Sequence, residues 1–254
     1  MSRPIALVTG PTSGIGLSFA RRLAASGHDL VLVARDRARL ERLGSELASL
    51  HGTTVEVIVA DLGDRQQLAA VEGRLADPGR PVDLLVNNAG YGLQGSFLDH
   101  SVEDEQRLLD VLVTAVLRLM HAALGPMVQR GSGTIVNVSS VVGYLPRGSY
   151  SAAKGYVTSL SEWADLTYRH RGVHVMALLP GFTRTEFHDR MGVRPGFGPR
   201  WLWLDADRVV ADALSDLAKG RRLSVPSRRY RVLAAVAEHT PTAVQARVQG
   251  PRRR

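Results

Sequence analysis

The stretch "SYSAAKG" at residues 149–155 places a tyrosine and a lysine four positions apart. Lys154 is one of only two lysines in the chain, which otherwise uses arginine for positive charge. An ammonium is a compact point charge, whereas a guanidinium is a planar fork, so the two are not interchangeable. Side chains at i and i+4 lie on one face of a helix, where Tyr150 and Lys154 can reach the same ligand. The alternative is an ordinary surface lysine.

A glycine-rich stretch near the N-terminus could bind an anion. Residues 9–16 read "TGPTSGIG" and place Gly10, Gly14 and Gly16 between a predicted strand and a predicted helix. Glycines there permit a tight turn, and the helix N-terminus presents unpaired N–H groups to a phosphate. A purely structural turn is the alternative, but the position after the first strand favours a dinucleotide site.

The end of the second predicted strand indicates which dinucleotide. An acidic residue there usually holds a free ribose 2′-hydroxyl, whereas an arginine accommodates a 2′-phosphate. The strand ends "LVLVARD", with Ala34 at the acidic position and Arg35 next. Asp36 competes for this role, although "DRARL" is more typical of a capped helix start. We therefore predict NADP(H), with Arg35, Thr12 and Ser13 around the extra phosphate.

The elements that must position these residues alternate along the chain. Apolar, β-branched runs predict strands, and amphipathic stretches between them predict helices. Strands buried on both faces indicate a parallel sheet, so we predict one α/β domain with a doubly wound parallel sheet. The predicted strands lie at 5–9, 30–34, 54–60, 82–87, 134–139, 173–179 and 223–226. The predicted helices lie at 16–25, 36–50, 64–76, 103–129, 151–170 and 206–219.

One irregular segment interrupts this alternation. Residues 187–203 are rich in Gly, Pro and aromatics and follow the sixth strand, where ligands bind in open α/β sheets. We expect a substrate loop over 186–204, with Trp201 and Trp203 as candidate lining residues or packing anchors. The predicted organisation is a dinucleotide-binding and catalytic domain over 1–226, followed by a basic helical extension over 227–254.

Composition limits the classes of function. Hydrophobic residues make up 44% of the chain and charged residues 22%, as in soluble globular proteins, and cysteine is absent. The chain starts directly with a strand pattern, so we expect a cytoplasmic protein. The net charge of +8 is concentrated in residues 200–254, which carry 12 basic and 5 acidic residues. Because the main body is near neutral, we expect a solvated basic end rather than a nucleic-acid or membrane-binding surface.

Five motifs in a fixed order extend this interpretation. "TGPTSGIG" at 9–16 is followed by "NNAG" at 87–90, "SS" at 139–140, "YSAAK" at 150–154 and "PGFTRT" at 180–185. Over residues 4–226 the chain resembles the short-chain dehydrogenase/reductase family. The resemblance implies a seven-stranded Rossmann sheet, a nicotinamide cofactor, a Ser–Tyr–Lys active site and a homodimer or homotetramer.

The resemblance also assigns roles to single residues. Tyr150 is implied as the general acid/base, Lys154 as its activator and Ser140 as the group that polarises a substrate carbonyl. Asp61 is the implied adenine contact. Together with the glycine turn and Arg35, the expected cofactor-binding residues are Gly10, Thr12, Ser13, Gly14, Ile15, Gly16, Arg35, Asp61, Leu62, Asn88, Ala89, Gly90, Tyr150, Lys154, Pro180, Gly181, Thr183 and Thr185.

The implied mechanism transfers hydride between nicotinamide and a carbonyl or secondary alcohol while Tyr150 exchanges a proton with the oxygen. Lowering a tyrosine pKa from about 10 to about 7 corresponds to roughly 4 kcal/mol. An ammonium about 4 Å away, at an effective dielectric of about 20, supplies about 4 kcal/mol. Lys154 is thus sufficient in magnitude, and it is also expected to hold the nicotinamide ribose.

Two features depart from the family pattern. Leu112 occupies a position where many members carry an asparagine that supports a proton-relaying water chain. It is either a core leucine or a sign of altered turnover. The connection from Ser140 to Tyr150 is also short, and Ser139 is an alternative to Ser140.

The sequence thus leaves three candidate functions for this protein. The main hypothesis is an NADP(H)-dependent oxidoreductase acting on an apolar carbonyl or alcohol. The intact Ser140, Tyr150 and Lys154 favour it. A non-catalytic nucleotide-binding regulatory protein is the alternative, which Leu112 favours mildly. Nucleic-acid binding through the basic tail gains no support from the near-neutral main body.

Overall fold

The computed structural model describes residues 3–186 and 200–240. A parallel sheet of seven strands runs through the molecule, and each predicted strand is present. The strands are β1 Ile5–Thr9, β2 Asp29–Ala34, β3 Val55–Val59, β4 Leu84–Asn87, β5 Gly133–Val138, β6 Val173–Leu178 and β9 Leu223–Ser224. Their order across the sheet is β3-β2-β1-β4-β5-β6-β9, which confirms the predicted doubly wound α/β fold.

The helices cover both faces of this sheet and lie within two residues of their predicted ends. They are α1 Gly14–Ala25, α2 Arg37–His51, α3 Arg65–Ala76, α4 Val102–Leu109, α5 Ala115–Arg130, α6 Ser149–Tyr168 and α7 Ala206–Ala218. Helices α3, α5 and α6 bury their apolar faces in one core cluster. Helices α1, α2 and α7 build a second cluster on the opposite face. The continuous Val, Ile and Leu runs of the strands follow from burial on both sides.

Two features of the structure go beyond the predicted elements. A π-helical turn, Asp110–Thr114, joins α4 to α5. Strand β7, Thr183–Arg184, pairs with β8, Leu204–Asp205, so residues on either side of 187–199 meet. A last described helix, α8 Arg228–His239, follows β9 and lies within the predicted helical extension. Residues 187–199 of the predicted substrate loop and residues 241–254 of the predicted extension lie outside the described residues.

The apolar stretch from Val102 to Arg130 has the length and composition of a helix that crosses a membrane. Its inward side, however, carries Leu119, Met120, Ala123 and Met127 into the core against the sheet. This packing is that of a core helix.

The strand order reverses between β1 and β4, which lie side by side at the centre of the sheet. Helices leave on opposite faces at such a point, and a crevice opens beyond the carboxyl ends of the two strands. The glycine turn follows β1, and the "NNAG" motif begins at the end of β4.

Candidate active site

The glycine turn after β1 is shaped for close backbone approach. Gly10 adopts a φ of +65°, which disfavours residues with a side chain. A Cβ at Gly16 would overlap the carbonyl oxygen of Gly10 and the side-chain amide of Asn88, so α1 packs tightly on the turn. Helix α1 begins after Ser13, whose side chain makes no capping hydrogen bond. By contrast, Asp36 and Asp64 cap α2 and α3. The N-terminus of α1 therefore fits a phosphate group.

The "NNAG" segment is tied to this turn by hydrogen bonds. The side-chain amide of Asn88 donates to the carbonyl oxygens of Thr9 at 2.9 Å and Gly10 at 3.0 Å. The hydroxyl of Thr9 accepts from the backbone N–H groups of Asn88 at 2.9 Å and Ala89 at 3.0 Å. These bonds fix the ends of β1 and β4 relative to each other across the crevice.

At the end of β2, Arg35 lines the crevice and Asp36 caps the next helix. The carboxylate of Asp36 accepts from the backbone N–H of Arg39 at 3.0 Å, which confirms the predicted cap. Arg39, which the sequence argument did not consider, also lines the crevice. Its guanidinium lies 3.1 Å from the carboxylate of Glu186. Two guanidinium groups thus stand at the end of the crevice where a 2′-phosphate is expected.

The carboxylate of Asp61, beyond β3, is held from two sides. It accepts from the backbone N–H of Gly63 at 2.9 Å and pairs with the guanidinium of Arg107. Asp61 and Leu62 both line the crevice. Asp61 stays the predicted adenine contact, and Arg107 is a cation beside it that sequence reasoning missed.

The two candidate serines after β5 have different surroundings. Ser139 is buried, and its hydroxyl donates to the carbonyl oxygen of Lys154 at 2.7 Å and shares a hydrogen bond with Thr158. Ser140 is partly exposed to the crevice, and its hydroxyl makes two long contacts: it accepts from the backbone N–H of Val142 at 3.3 Å and donates to the carbonyl oxygen of Pro180 at 3.4 Å. The geometry favours Ser140 as the hydroxyl that can turn toward a ligand.

Tyr150 and Lys154 lie in the first two turns of α6, and both line the crevice. The ammonium nitrogen of Lys154 is 5.7 Å from the centre of the Tyr150 ring. It donates a hydrogen bond of 2.7 Å to the carbonyl oxygen of Val138. The two side chains therefore share one face of the helix, as the i, i+4 spacing predicts.

The pKa values of this pair differ from the sequence-based expectation. Burial raises the pKa of the Tyr150 phenol above its ordinary value rather than lowering it. Burial also lowers the pKa of the Lys154 ammonium to about 8. Desolvation disfavours the charged form of both groups, and the expectation from one ammonium at about 4 Å does not include it.

The loop after β6 forms the opposite wall of the crevice. Pro180, Gly181, Thr183 and Thr185 all line it. The hydroxyl of Thr183 donates to the carbonyl oxygen of Gly181 at 3.0 Å, and the side chain of Thr185 lies against Gly14 of the glycine turn. The first and sixth strands thus contribute facing parts of one site.

Leu112, in the π-helical turn, is a core residue. It is buried with Leu108 and Ala153 in a small cluster against which Tyr150 packs. Its side chain lies so close to Gly90 that a Cβ there would meet it at 2.9 Å. The position next to the active-site pair is therefore filled by methyl groups.

All these segments border one crevice of about 2030 Å³. Each predicted catalytic and cofactor-binding residue lines it except Gly16, which packs behind the turn. Much of the wall near Ser140 and Tyr150 is apolar, and α8 contributes Tyr230, Leu233, Val236 and Ala237. The sequence leaves this contribution open, because nothing in the pattern of α8 shows where the helix docks. Within residues 3–186 and 200–240, no cluster of His, Asp and Glu side chains is arranged to hold a metal ion.

Comparison with known proteins identifies the fold's relatives. The family model described as short chain dehydrogenase matches residues 4–193. Galactitol 2-dehydrogenase (L-tagatose-forming) of Cereibacter sphaeroides is 36% identical over 202 residues, which cover 78% of each protein.

Solved structures of short-chain dehydrogenases are also similar to this chain. A short-chain dehydrogenase from Sphingobium yanoikuyae in complex with NADPH is 37% identical with a TM-score of 0.86, covering 98% of this chain and 96% of that one. A short-chain dehydrogenase/reductase from Burkholderia phymatum in complex with NAD is 27% identical with a TM-score of 0.79, covering 92% of both chains. The chain belongs to the short-chain dehydrogenase/reductase family of oxidoreductases.

Proposed function

We propose that this protein is an NADP(H)-dependent oxidoreductase that interconverts a carbonyl group and a secondary alcohol on a largely apolar substrate. The observation that carries the proposal is the meeting of Ser140, Tyr150 and Lys154 in the crevice that begins at the glycine turn. A bound nicotinamide supplies the hydride in this chemistry. The remaining steps belong to side chains of the chain itself.

In the reductive direction, Tyr150 donates its phenolic proton to the substrate oxygen while Ser140 donates a hydrogen bond to the same oxygen. The raised pKa of Tyr150 keeps the phenol protonated and ready to donate. The nearby ammonium of Lys154 then stabilises the phenolate until a proton from solvent restores it. Oxidation follows the same path in reverse and starts from the deprotonated tyrosine.

The preference for NADP(H) rests on Arg35 and Arg39. Asp36 uses its carboxylate to cap α2, so its side chain is engaged away from a ribose 2′-hydroxyl. A 2′-phosphate would replace Glu186 as the partner of Arg39 and pair with Arg35. The NADPH complex of the relative from Sphingobium yanoikuyae supports the same preference, whereas the NAD complex of the relative from Burkholderia phymatum makes it necessary to test both cofactors.

The apolar substrate is argued from the wall beside the catalytic pair. Leu93, Val142, Leu145, Leu202 and Leu233 border the crevice there. Transfer of apolar surface from water into such a site contributes roughly 25 cal/mol per Å². Substrates with bulky hydrocarbon groups on the carbonyl carbon are therefore expected to react faster than small polar ones.

The experiment is a panel of ketones and secondary alcohols of increasing size, assayed by the absorbance of the reduced cofactor with NADPH and with NADH. We expect wild type to prefer NADPH and bulky apolar ketones. Tyr150→Phe should lose at least about a hundredfold in kcat, the scale of general acid catalysis. Arg35→Ser should weaken NADPH binding and leave NADH binding nearly unchanged.

Each outcome has a distinct meaning. Equal rates for wild type and Tyr150→Phe would remove Tyr150 from the mechanism. A wild-type preference for NADH would contradict the assignment of Arg35. Tight cofactor binding without turnover across the panel would favour the non-catalytic nucleotide-binding protein, the alternative that Leu112 supports.

A further inference from the structure

Helix α8 reaches the active site through one buried tyrosine. Tyr230 is 4% exposed and Ala234 is 6% exposed, and these two residues form the inward face of the helix. The helix also contacts the 3-10 turn Val141–Tyr144, which directly follows Ser140. It therefore stands between the serine side and the β6 side of the crevice.

The phenol hydroxyl of Tyr230 joins two distant parts of the chain. It accepts a hydrogen bond from the backbone N–H of Phe182 at 3.0 Å. It donates one to the backbone carbonyl of Leu202 at 2.8 Å. Phe182 precedes residues 187–199 and Leu202 follows them, so a single hydroxyl connects both sides of that segment. The pairing of β7 with β8 brings the same two stretches together, with Leu204 N–H donating to Phe182 at 2.7 Å.

The ring of Tyr230 makes a second contact, with Gly181. A Cβ at Gly181 would overlap the ring carbons, so the glycine allows the backbone to lie directly on the aromatic face. The preceding residue, Pro180, uses its carbonyl oxygen to accept from the N–H of Val141 at 3.2 Å and from the hydroxyl of Ser140 at 3.4 Å. A continuous set of contacts thus runs from Tyr230 through Gly181 and Pro180 to Ser140.

We propose that Tyr230 is a positioning residue of the active site, which holds the Pro180–Phe182 backbone at the distance from Ser140 that productive cofactor binding and hydride transfer require. The inference rests on the proposed function, since Pro180 and Gly181 are among the expected cofactor-binding residues. Tyr230 contacts no reacting atom in this role. It acts through the backbone it touches. A small misplacement of that backbone is expected to lower the rate of hydride transfer by a large factor, because the reaction depends on the exact placement of the reacting groups.

The test compares wild type with Tyr230→Phe, which removes the hydroxyl and keeps the ring. The matched control is Arg229→Met. The Arg229 guanidinium donates to the carbonyl oxygen of Trp201 at 2.8 Å, so it anchors the same stretch through a hydrogen bond that involves neither Gly181 nor Phe182. NADPH affinity is measured by fluorescence titration, and kcat and KM are measured with the ketone that wild type reduces fastest. Thermal unfolding is followed in parallel.

We expect Tyr230→Phe to bind NADPH about tenfold more weakly and to lose about tenfold in kcat, with Arg229→Met close to wild type in both. A tenfold loss corresponds to about 1.4 kcal/mol. Gly181→Ala is the second variant, and it should produce the same losses by pushing the backbone away from the ring. If Tyr230→Phe does not fold, Gly181→Ala tests the positioning role of Tyr230 in its place.

A lower melting temperature with unchanged NADPH affinity and kcat would assign Tyr230 a merely structural role and overturn the proposal. Equal losses in Arg229→Met would overturn it as well, because anchoring of residues 201–202 would then explain them. In both cases wild-type turnover leaves the proposed function standing. If wild type binds neither NADPH nor NADH, the proposed function fails and this inference fails with it.

Discussion

At the scale of single residues, Lys154 shows a conflict between stability and chemistry. The residue is 5% exposed, and burial lowers the pKa of its ammonium from 10.5 to about 8. Folding therefore buries a charge at neutral pH, and the favourable contact is a hydrogen bond to the carbonyl oxygen of Val138. Such a group persists in a protein when function requires it, since the fold alone would be more stable with an apolar residue.

We predict that Lys154→Met raises the free energy of unfolding at pH 7. The depressed pKa corresponds to a penalty of about 3 kcal/mol in wild type. Loss of the Val138 hydrogen bond offsets about 1 kcal/mol of the gain. Because the folded state binds fewer protons between pH 8 and 10.5, wild type gains stability as pH rises through that window. The advantage of Lys154→Met should therefore shrink from pH 7 to pH 10, while its oxidoreductase activity is lost.

Urea unfolding of both proteins without added nicotinamide, at pH 7 and pH 10, measures this difference. The other lysine supplies the control, because Lys219 is exposed at the end of α7 and Lys219→Met should change stability little at either pH. A destabilised Lys154→Met at pH 7 would mean that the ammonium stabilises the fold, contrary to the depressed pKa.

At the scale of elements, the contact between α1 and the glycine turn sets how closely a phosphate can approach. Gly16 packs on the carbonyl oxygen of Gly10 and the amide of Asn88, which itself links the ends of β1 and β4. A side chain at position 16 would force the helix away from the turn. The N–H groups at the helix N-terminus would then lose their common direction.

We predict that Gly16→Ala weakens NADPH binding at least tenfold and lowers stability, because the added methyl group overlaps backbone and a hydrogen-bonded amide. The control is Gly73→Ala in α3, where a new Cβ meets nothing within 4 Å. Alanine in an exposed helix interior should stabilise it by about 0.5–1 kcal/mol without changing cofactor affinity. Fluorescence titration with NADPH and urea unfolding measure both effects. Wild-type affinity in Gly16→Ala would show that the helix can move without harm.

At the scale of the whole molecule, the outer face of α6 carries large apolar side chains. Trp163 is 53% exposed and Leu166 is 66% exposed, and Tyr156 lies on the same side two turns earlier. Contiguous exposed apolar surface on a soluble protein usually marks an interaction site. The homodimer or homotetramer that the family resemblance implies stays a prediction, and this face is the one we expect it to use.

We predict that Trp163→Glu reduces the mass in solution to that of a 27.5 kDa monomer, because a carboxylate placed in a two-fold interface faces its own copy. Light scattering coupled to size exclusion measures the mass. Leu50→Glu is the control, since Leu50 is an exposed apolar residue on α2, at 66%, that belongs to another surface. A wild-type protein that is already monomeric would contradict the prediction.

The sequence by itself determined the element order, the parallel sheet and most of the residues that line the candidate site. Strand and helix periodicities are local properties, and motifs at strand ends must meet at one edge of a parallel sheet. It also indicated that Asp36 caps α2, because capping depends on neighbours three residues away.

Only the tertiary structure decided which of the two serine hydroxyls is held by interior partners and which residues hold it. Ser139 and Ser140 are adjacent in sequence, and their difference arises from Thr158 and Lys154, which occupy the first of them. Tyr230 lies 48 positions from Phe182, and Arg39 lies 147 from Glu186. The pKa of Tyr150 likewise depends on burial among residues from three helices and loops. Contacts of such separation, and the desolvation they cause, leave no periodic trace in a single chain.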